Sequence, residues 1–250
     1  MEAVSPASWI VSGILLGAIV GSFLATLVVR WPEGKGALTG RSACDGCART
    51  LSPIELVPIV SYVVLRGRCR ACHAPIARSH VGIEIGAAAI GATAFAILPE
   101  AAGLALAAMG WLLLALGWLD ARHLWLPDPL VLLLAGIGLA AAQWVTAITL
   151  TDRLIGGAAA FLLLEGLRRG YQRLRGHDGM GAGDPKLFGA IGLWTGWAML
   201  PLVLLIGSAA LLALALIRGS VHERTHEHPL GSALAAAAFL VACLLADGRI

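Results

Sequence analysis

The sequence predicts an all-α polytopic membrane protein of about eight transmembrane helices, with one small polar insertion after the first. Three observations predict it. Of the 250 residues, 58% are hydrophobic and only 13% charged, and the mean hydropathy is +0.84; a soluble domain carries about 25% charged residues. Apolar segments recur along the whole chain, many near the ~20 residues that cross a bilayer. The only substantial polar stretch is 31–80. The lipid bilayer is therefore the expected surroundings. The net charge of +3 carries little weight, and no nucleic-acid partner is expected.

The first apolar segment, about 8–29, follows Met1 to Pro6, which hold an acid, Glu2, and no Lys or Arg. The basic residues come after it. It reads as an uncleaved first helix with its N-terminus outside, not as a cleaved signal peptide. Gly13, Gly17 and Gly21 lie on one face and admit a neighbouring helix closely. Further helices are predicted at about 81–98, 103–119, 129–147, 152–168, 186–199, 201–217 and 229–246. Eight spans put the polar connections alternately on two sides. Sixteen of the eighteen Lys and Arg then fall on one side, and only Arg153 and Arg249 on the other. The positive-inside rule assigns the first side to the cytoplasm. The predicted organisation is a transmembrane helix (1–30), a cytoplasmic insertion (31–80) and a membrane-embedded bundle (81–250).

The insertion contains Cys44-x2-Cys47, then 21 residues, then Cys69-x2-Cys72. Paired knuckles at this distance suit Zn²⁺ held tetrahedrally by four thiolates, and the reducing cytoplasm disfavours disulfides. Redox thiols or free thiols are the competing readings. Four Cys leave no open position for water, so such a zinc is structural. It would staple a segment too poor in apolar residues to fold alone. Cys243, alone in the last helix, reads as lipid-facing or as core filler.

Acidic groups in or near a membrane are costly and are functional candidates by default. Asp120 closes the third predicted helix after Trp118-Leu119, and Asp184 precedes the sixth in Gly181-Ala182-Gly183-Asp184. Both lie at one membrane depth on one face. Gly181 and Gly183 permit close backbone approach and unusual dihedrals. Two carboxylates within hydrogen-bond reach share a proton, and such a pair activates water without a covalent intermediate. The blander reading of Asp184, which stands before Pro185, is an N-cap of the helix it begins. Asp128, before Pro129, has the same pattern, and capping is the preferred reading there. Glu84 either faces the site or pairs with an arginine of the insertion, and Glu165 is expected to pair with Arg168 or Arg169.

These residues carry a resemblance to the bacterial type IV prepilin peptidases, the leader peptidase/N-methyltransferases. It runs from Gly21-Ser22-Phe23-Leu24, Arg30 and Pro32 through both cysteine knuckles, with Pro58-Ile59-Val60-Ser61-Tyr62 between them, to Pro75-Ile76 and Glu84. It continues at Asp120 to Leu126-Pro127-Asp128 and ends at Gly181-Ala182-Gly183-Asp184-Pro185-Lys186-Leu187. The resemblance implies Asp120 and Asp184 as the catalytic pair, with Asp128, Gly181, Gly183, Lys186 and Glu84 supporting the site. It implies zinc in the insertion. It also implies cleavage of type IV prepilins or type II secretion pseudopilins at the cytoplasmic face of the inner membrane. N-methylation of the new terminus from S-adenosylmethionine is implied as well. Ala25, Arg78-Ser79-His80 and Pro185 depart from the residues usual in that family.

Two rival readings stand beside this one. His222-Glu223-Arg224-Thr225-His226 fits the H-E-x-x-H pattern of zinc metalloproteases, although it lies in a polar connection with only His228 as a nearby third ligand. A non-enzymatic membrane scaffold, with the zinc module binding a partner and the aspartates as caps, is the other.

Overall fold

A computed structural model describes residues 5–34, 36, 42–177, 179–218 and 229–248. The motif around His222, Glu223 and His226 lies outside these residues, as does Asp178. The described chain is helical: α1 (Pro6–Arg30), α2 (Val60–Val64), α3 (Arg78–Ile97), α4 (Glu100–His123), α5 (Asp128–Val145), α6 (Leu150–Arg175), α7 (Asp184–Thr195), α8 (Leu200–Arg218) and α9 (Leu230–Ala246). Among the described residues the extended pairing is limited to two isolated bridges, Ala43 with Thr50 and Arg68 with Pro75.

Every long predicted helix has a counterpart. Five of them, α1, α3, α4, α5 and α8, are long and apolar enough to cross a membrane. The others fall short for different reasons. α7 has 12 residues, which at 1.5 Å each is about 18 Å against a hydrocarbon core of about 30 Å. α9 has 17 residues. α6 runs seven residues past its predicted end to Arg175, as a polar extension on which Glu165 holds both Arg168 (3.0 Å) and Arg169 (2.6 Å).

The chain divides into two compact units, Met1–Ala96 and Ile97–Ile250. In the first, the glycine face of α1 meets α3. A Cβ on Gly17 would run into the Ala87 carbonyl oxygen and come within 2.8 Å of Ala88 Cα; one on Gly21 would lie 2.8 Å from Glu84 Cα. Between helices in lipid the gain comes from van der Waals contact, and small residues maximise it.

The second unit positions the aspartates. α6 and α7 touch through backbone, with the Gly192 Cβ position 2.5 Å from the Gly156 carbonyl oxygen. Trp194, 1% exposed, donates its indole N–H to the Leu134 carbonyl at 2.9 Å and tethers α7 to α5. Buried Arg153 on α6 donates to the Gly138 carbonyl on α5 at 3.0 Å. Three helices are thereby cross-linked below the start of α7.

Candidate active site and metal centre

Asp120 lies in the last turn of α4 and is 5% exposed. Leu124 ends that helix in the left-handed region (φ 49°), returning its N–H to the Asp120 carbonyl. The chain then passes Leu126 and Pro127 into α5. Asp184, also 5% exposed, is the first residue of α7.

The two carboxylates converge on the first turn of α9. The main-chain N–H of Ser232 donates to Asp120 Oδ2 at 2.6 Å, and the Gly231 main chain lies near Asp184. The two side chains are close enough for the charge of one to act on the other. The Asp184 N–H reaches back to the Gly181 carbonyl at 3.3 Å, and Asp184 Oδ1 is buried without a hydrogen-bond partner among the described residues. Polar atoms buried in this way are rare.

The alternative reading of Asp184 as an N-cap is not met. Gly183 is the capping residue, and no side-chain capping bond is made. The unusual dihedrals that Gly181 and Gly183 permit are not used: neither has positive φ, and Gly183 sits at φ −81°. Space explains these glycines. A Cβ on Gly183 would lie 2.7 Å from Leu126 Cβ, and one on Gly181 3.1 Å from Asp184 Oδ2. Asp128 is likewise no cap; it receives two hydrogen bonds from Lys186 Nζ, at 2.7 and 2.9 Å. The ammonium group draws the carboxylate away from its own helix terminus.

Glu84 belongs to the first unit and pairs with no arginine of the insertion among the described residues. It is buried and accepts from the Ile59 N–H at 2.7 Å. It borders a cavity of about 160 Å³ whose lining includes Arg30, Asp45, Tyr62 and His80.

In the insertion, the ligand atoms of Cys44, Cys47, Cys69 and Cys72 all lie within 4.8 Å of one another. Cys44 and Cys72 Sγ are 3.7 Å apart, far beyond a disulfide and close to the ~3.8 Å edge of a tetrahedron with ~2.3 Å zinc–sulfur bonds. The knuckles repeat one another. Cys44 and Cys69 donate N–H to Arg49 and Ala74 carbonyls at 2.9 Å, and Ala48 and His73 turn each loop at φ 56° and 57°. Gly46 and Ala71 N–H groups point to Cys44 and Cys69 sulfurs at 3.4 Å. This donor set fits zinc. Beside it Glu55 binds Arg49 and the backbone and hydroxyl of Ser52, which together hold its carboxyl down to about 2.

Comparison with known proteins decides the family. Residues 15–98 match the Bacterial Peptidase A24 N-terminal domain, and residues 106–217 match the Type IV leader peptidase family. The chain belongs to the type IV leader peptidase family. A prepilin leader peptidase/N-methyltransferase of Burkholderia pseudomallei is 37% identical over 243 residues, covering 87% of this chain and 79% of the relative. Proteins of the same name from Aeromonas hydrophila and Pseudomonas aeruginosa are 36% and 33% identical, covering 90% and 94% of this chain and 87% and 90% of theirs. No solved structure matches the chain. The sequence does not single out Ser232, because its contact with Asp120 is made by a main-chain N–H and not by its side chain.

Proposed function

We propose that the chain is a membrane aspartyl endopeptidase that removes the leader of type IV prepilins or type II secretion pseudopilins. The observation that carries this reading is the placement of two buried carboxylates beside the first turn of α9, where the Ser232 N–H orients Asp120. Two such groups hold one proton between them. The ionised member takes a proton from water as it attacks the scissile carbonyl, and the protonated member gives its proton to the carbonyl oxygen. The same carboxylates then return a proton to the leaving amine. Gly181, Gly183 and the Asp128–Lys186 pair support the loop that carries Asp184.

In this reading α6, α7 and α9 complete eight spans, and the arginine-rich connections face the cytoplasm, which puts the aspartates at the cytoplasmic face of the inner membrane. Zinc on Cys44, Cys47, Cys69 and Cys72 holds the insertion in shape. Since the named relatives are also N-methyltransferases, a second reaction moves a methyl group from S-adenosylmethionine to the new N-terminus. The cavity bordered by Arg30, Asp45, His80 and Glu84 has the mixed charge that the amino-acid and sulfonium ends of this donor require. Calorimetry should show S-adenosylhomocysteine binding weakened at least tenfold, an order-of-magnitude expectation for one lost polar contact, in His80→Ala, with leader cleavage unchanged. Unaltered binding would remove the cavity from the reading.

The deciding experiment is prepilin leader cleavage in detergent or liposomes by wild type, Asp120→Asn, Asp184→Asn and His222→Ala. Loss of cleavage in the folded Asn variants, with His222→Ala active, supports the aspartyl mechanism. The opposite pattern moves the chemistry to the metalloprotease motif.

A further inference from the structure

We infer that Ser232 and Gly231, at the start of α9, are positioning residues of the aspartate centre. This rests on the aspartyl reading above. Pro229 precedes the helix, and Leu230, Gly231 and Ser232 are its first three residues. Their N–H groups have no intrahelical acceptor. Ser232 spends its N–H on Asp120 at 2.6 Å, and the Gly231 main chain lies near Asp184. The helix holds the Ser232 amide rigidly, so α9 sets the orientation of the Asp120 carboxylate. The positive end of the helix dipole also offsets the mutual repulsion of the two carboxylates. Both aspartates are 5% exposed, so bulk solvent offers few competing donors.

Gly231 contributes a second property. A Cβ there would lie 3.0 Å from both Asp120 Cγ and Asp120 Oδ2, and 3.0 Å from Leu126 Cδ1. Any side chain would push the Asp120 carboxylate off the amide that orients it. The Ser232 hydroxyl is not part of the device, because it donates to the Pro229 carbonyl at 2.7 Å.

Main-chain donation is separable from side-chain chemistry by substitution. Ser232→Pro deletes the N–H at a helix position where proline breaks no intrahelical bond, whereas Ser232→Ala keeps it. With the full-length protein in detergent and a prepilin substrate, Ser232→Ala should cleave like wild type. Ser232→Pro should lose about ten- to a hundredfold in kcat, the scale of one charge-assisted hydrogen bond, at unchanged KM and Tm. A Ser232→Pro enzyme with normal kcat overturns the inference.

If Ser232→Pro fails to fold, Gly231→Ala decides the matter together with Gly231→Ala/Leu126→Ala. Loss of kcat in both supports displacement of Asp120. Full recovery in the double variant assigns the defect to the Leu126 contact and overturns the inference. An active Asp120→Asn would instead sink the aspartyl reading itself, whatever residue 232 does.

Discussion

Lys186 Nζ donates to both carboxylate oxygens of Asp128, at 2.7 and 2.9 Å, although the two residues are 58 positions apart. The contact ties the first residue of α5 to the first turn of α7, two residues after Asp184. It therefore registers the loop of one aspartate against the helix that follows the other.

The pair is about half exposed, and such pairs contribute roughly 0–1 kcal/mol to stability. Its role is register. Asp128→Asn and Lys186→Met should each reduce leader cleavage by about three- to fivefold, within that energy range, with little change in Tm. The double variant should be no worse than either single one. Abolished cleavage in Asp128→Asn, equal to that in Asp120→Asn, would mean that Asp128 takes part in the chemistry.

Zinc content offers a direct check on the insertion. Purified protein should hold one zinc per chain by atomic emission, and Cys72→Ser should hold none. Without the ion, residues 42–77 lack the cross-link between their two knuckles and should be cut rapidly by trypsin, which has Arg49, Arg66, Arg68 and Arg70 to attack. The far-ultraviolet helix signal should persist, because α4 to α9 belong to the other unit.

Glycines on the long helices separate into two kinds. Gly17→Ala should destabilise the chain by about 1–3 kcal/mol, the usual cost of overpacking, since its Cβ would meet the Ala87 carbonyl and Ala88. Gly136→Ala and Gly166→Ala have nothing within 4 Å of the new atom and should be neutral or stabilising by up to about 1 kcal/mol through helix propensity. Unfolding measured by steric trapping would read the difference, and equal effects at Gly17 and Gly136 would refute the close contact.

Acid should weaken the insertion through Glu55. Its folded carboxyl is lowered from 4.5 to about 2, first by Arg49 and then by Ser52. A group depressed on folding stabilises above its unfolded value and loses that contribution as pH falls through the folded one. The difference in Tm between wild type and Glu55→Gln, compared at equal zinc content, should be constant above about pH 4.5 and should shrink as pH falls toward 2. A difference that grows on acidification contradicts the sign.

Helix positions and the cysteine cluster were legible because hydropathy and CxxC spacing are local signals. The insertion's four sulfurs do lie together. The lengths of α6 and α7 were less so. α6 continues because Glu165, Arg168 and Arg169 support a helix outside any apolar window. α7 stops at Thr195, four residues early, because Gly196 takes φ 70° against Ile148 and Asp152. The fate of Asp128 was not legible, since a local capping pattern cannot report a lysine 58 residues away. Nor was Ser232, whose contribution is a backbone hydrogen found at every residue but proline.

The position of α9 has a consequence for the order of synthesis. Asp120 and Asp184 are both translated before Leu230, yet the amide that orients Asp120 belongs to Ser232. A nascent chain that has inserted only through α8 carries both carboxylates without that anchor. If the two aspartates are the catalytic pair, proteolytic competence arrives with the last helix to leave the ribosome among those described here, and unfinished chains stay silent toward the substrates around them.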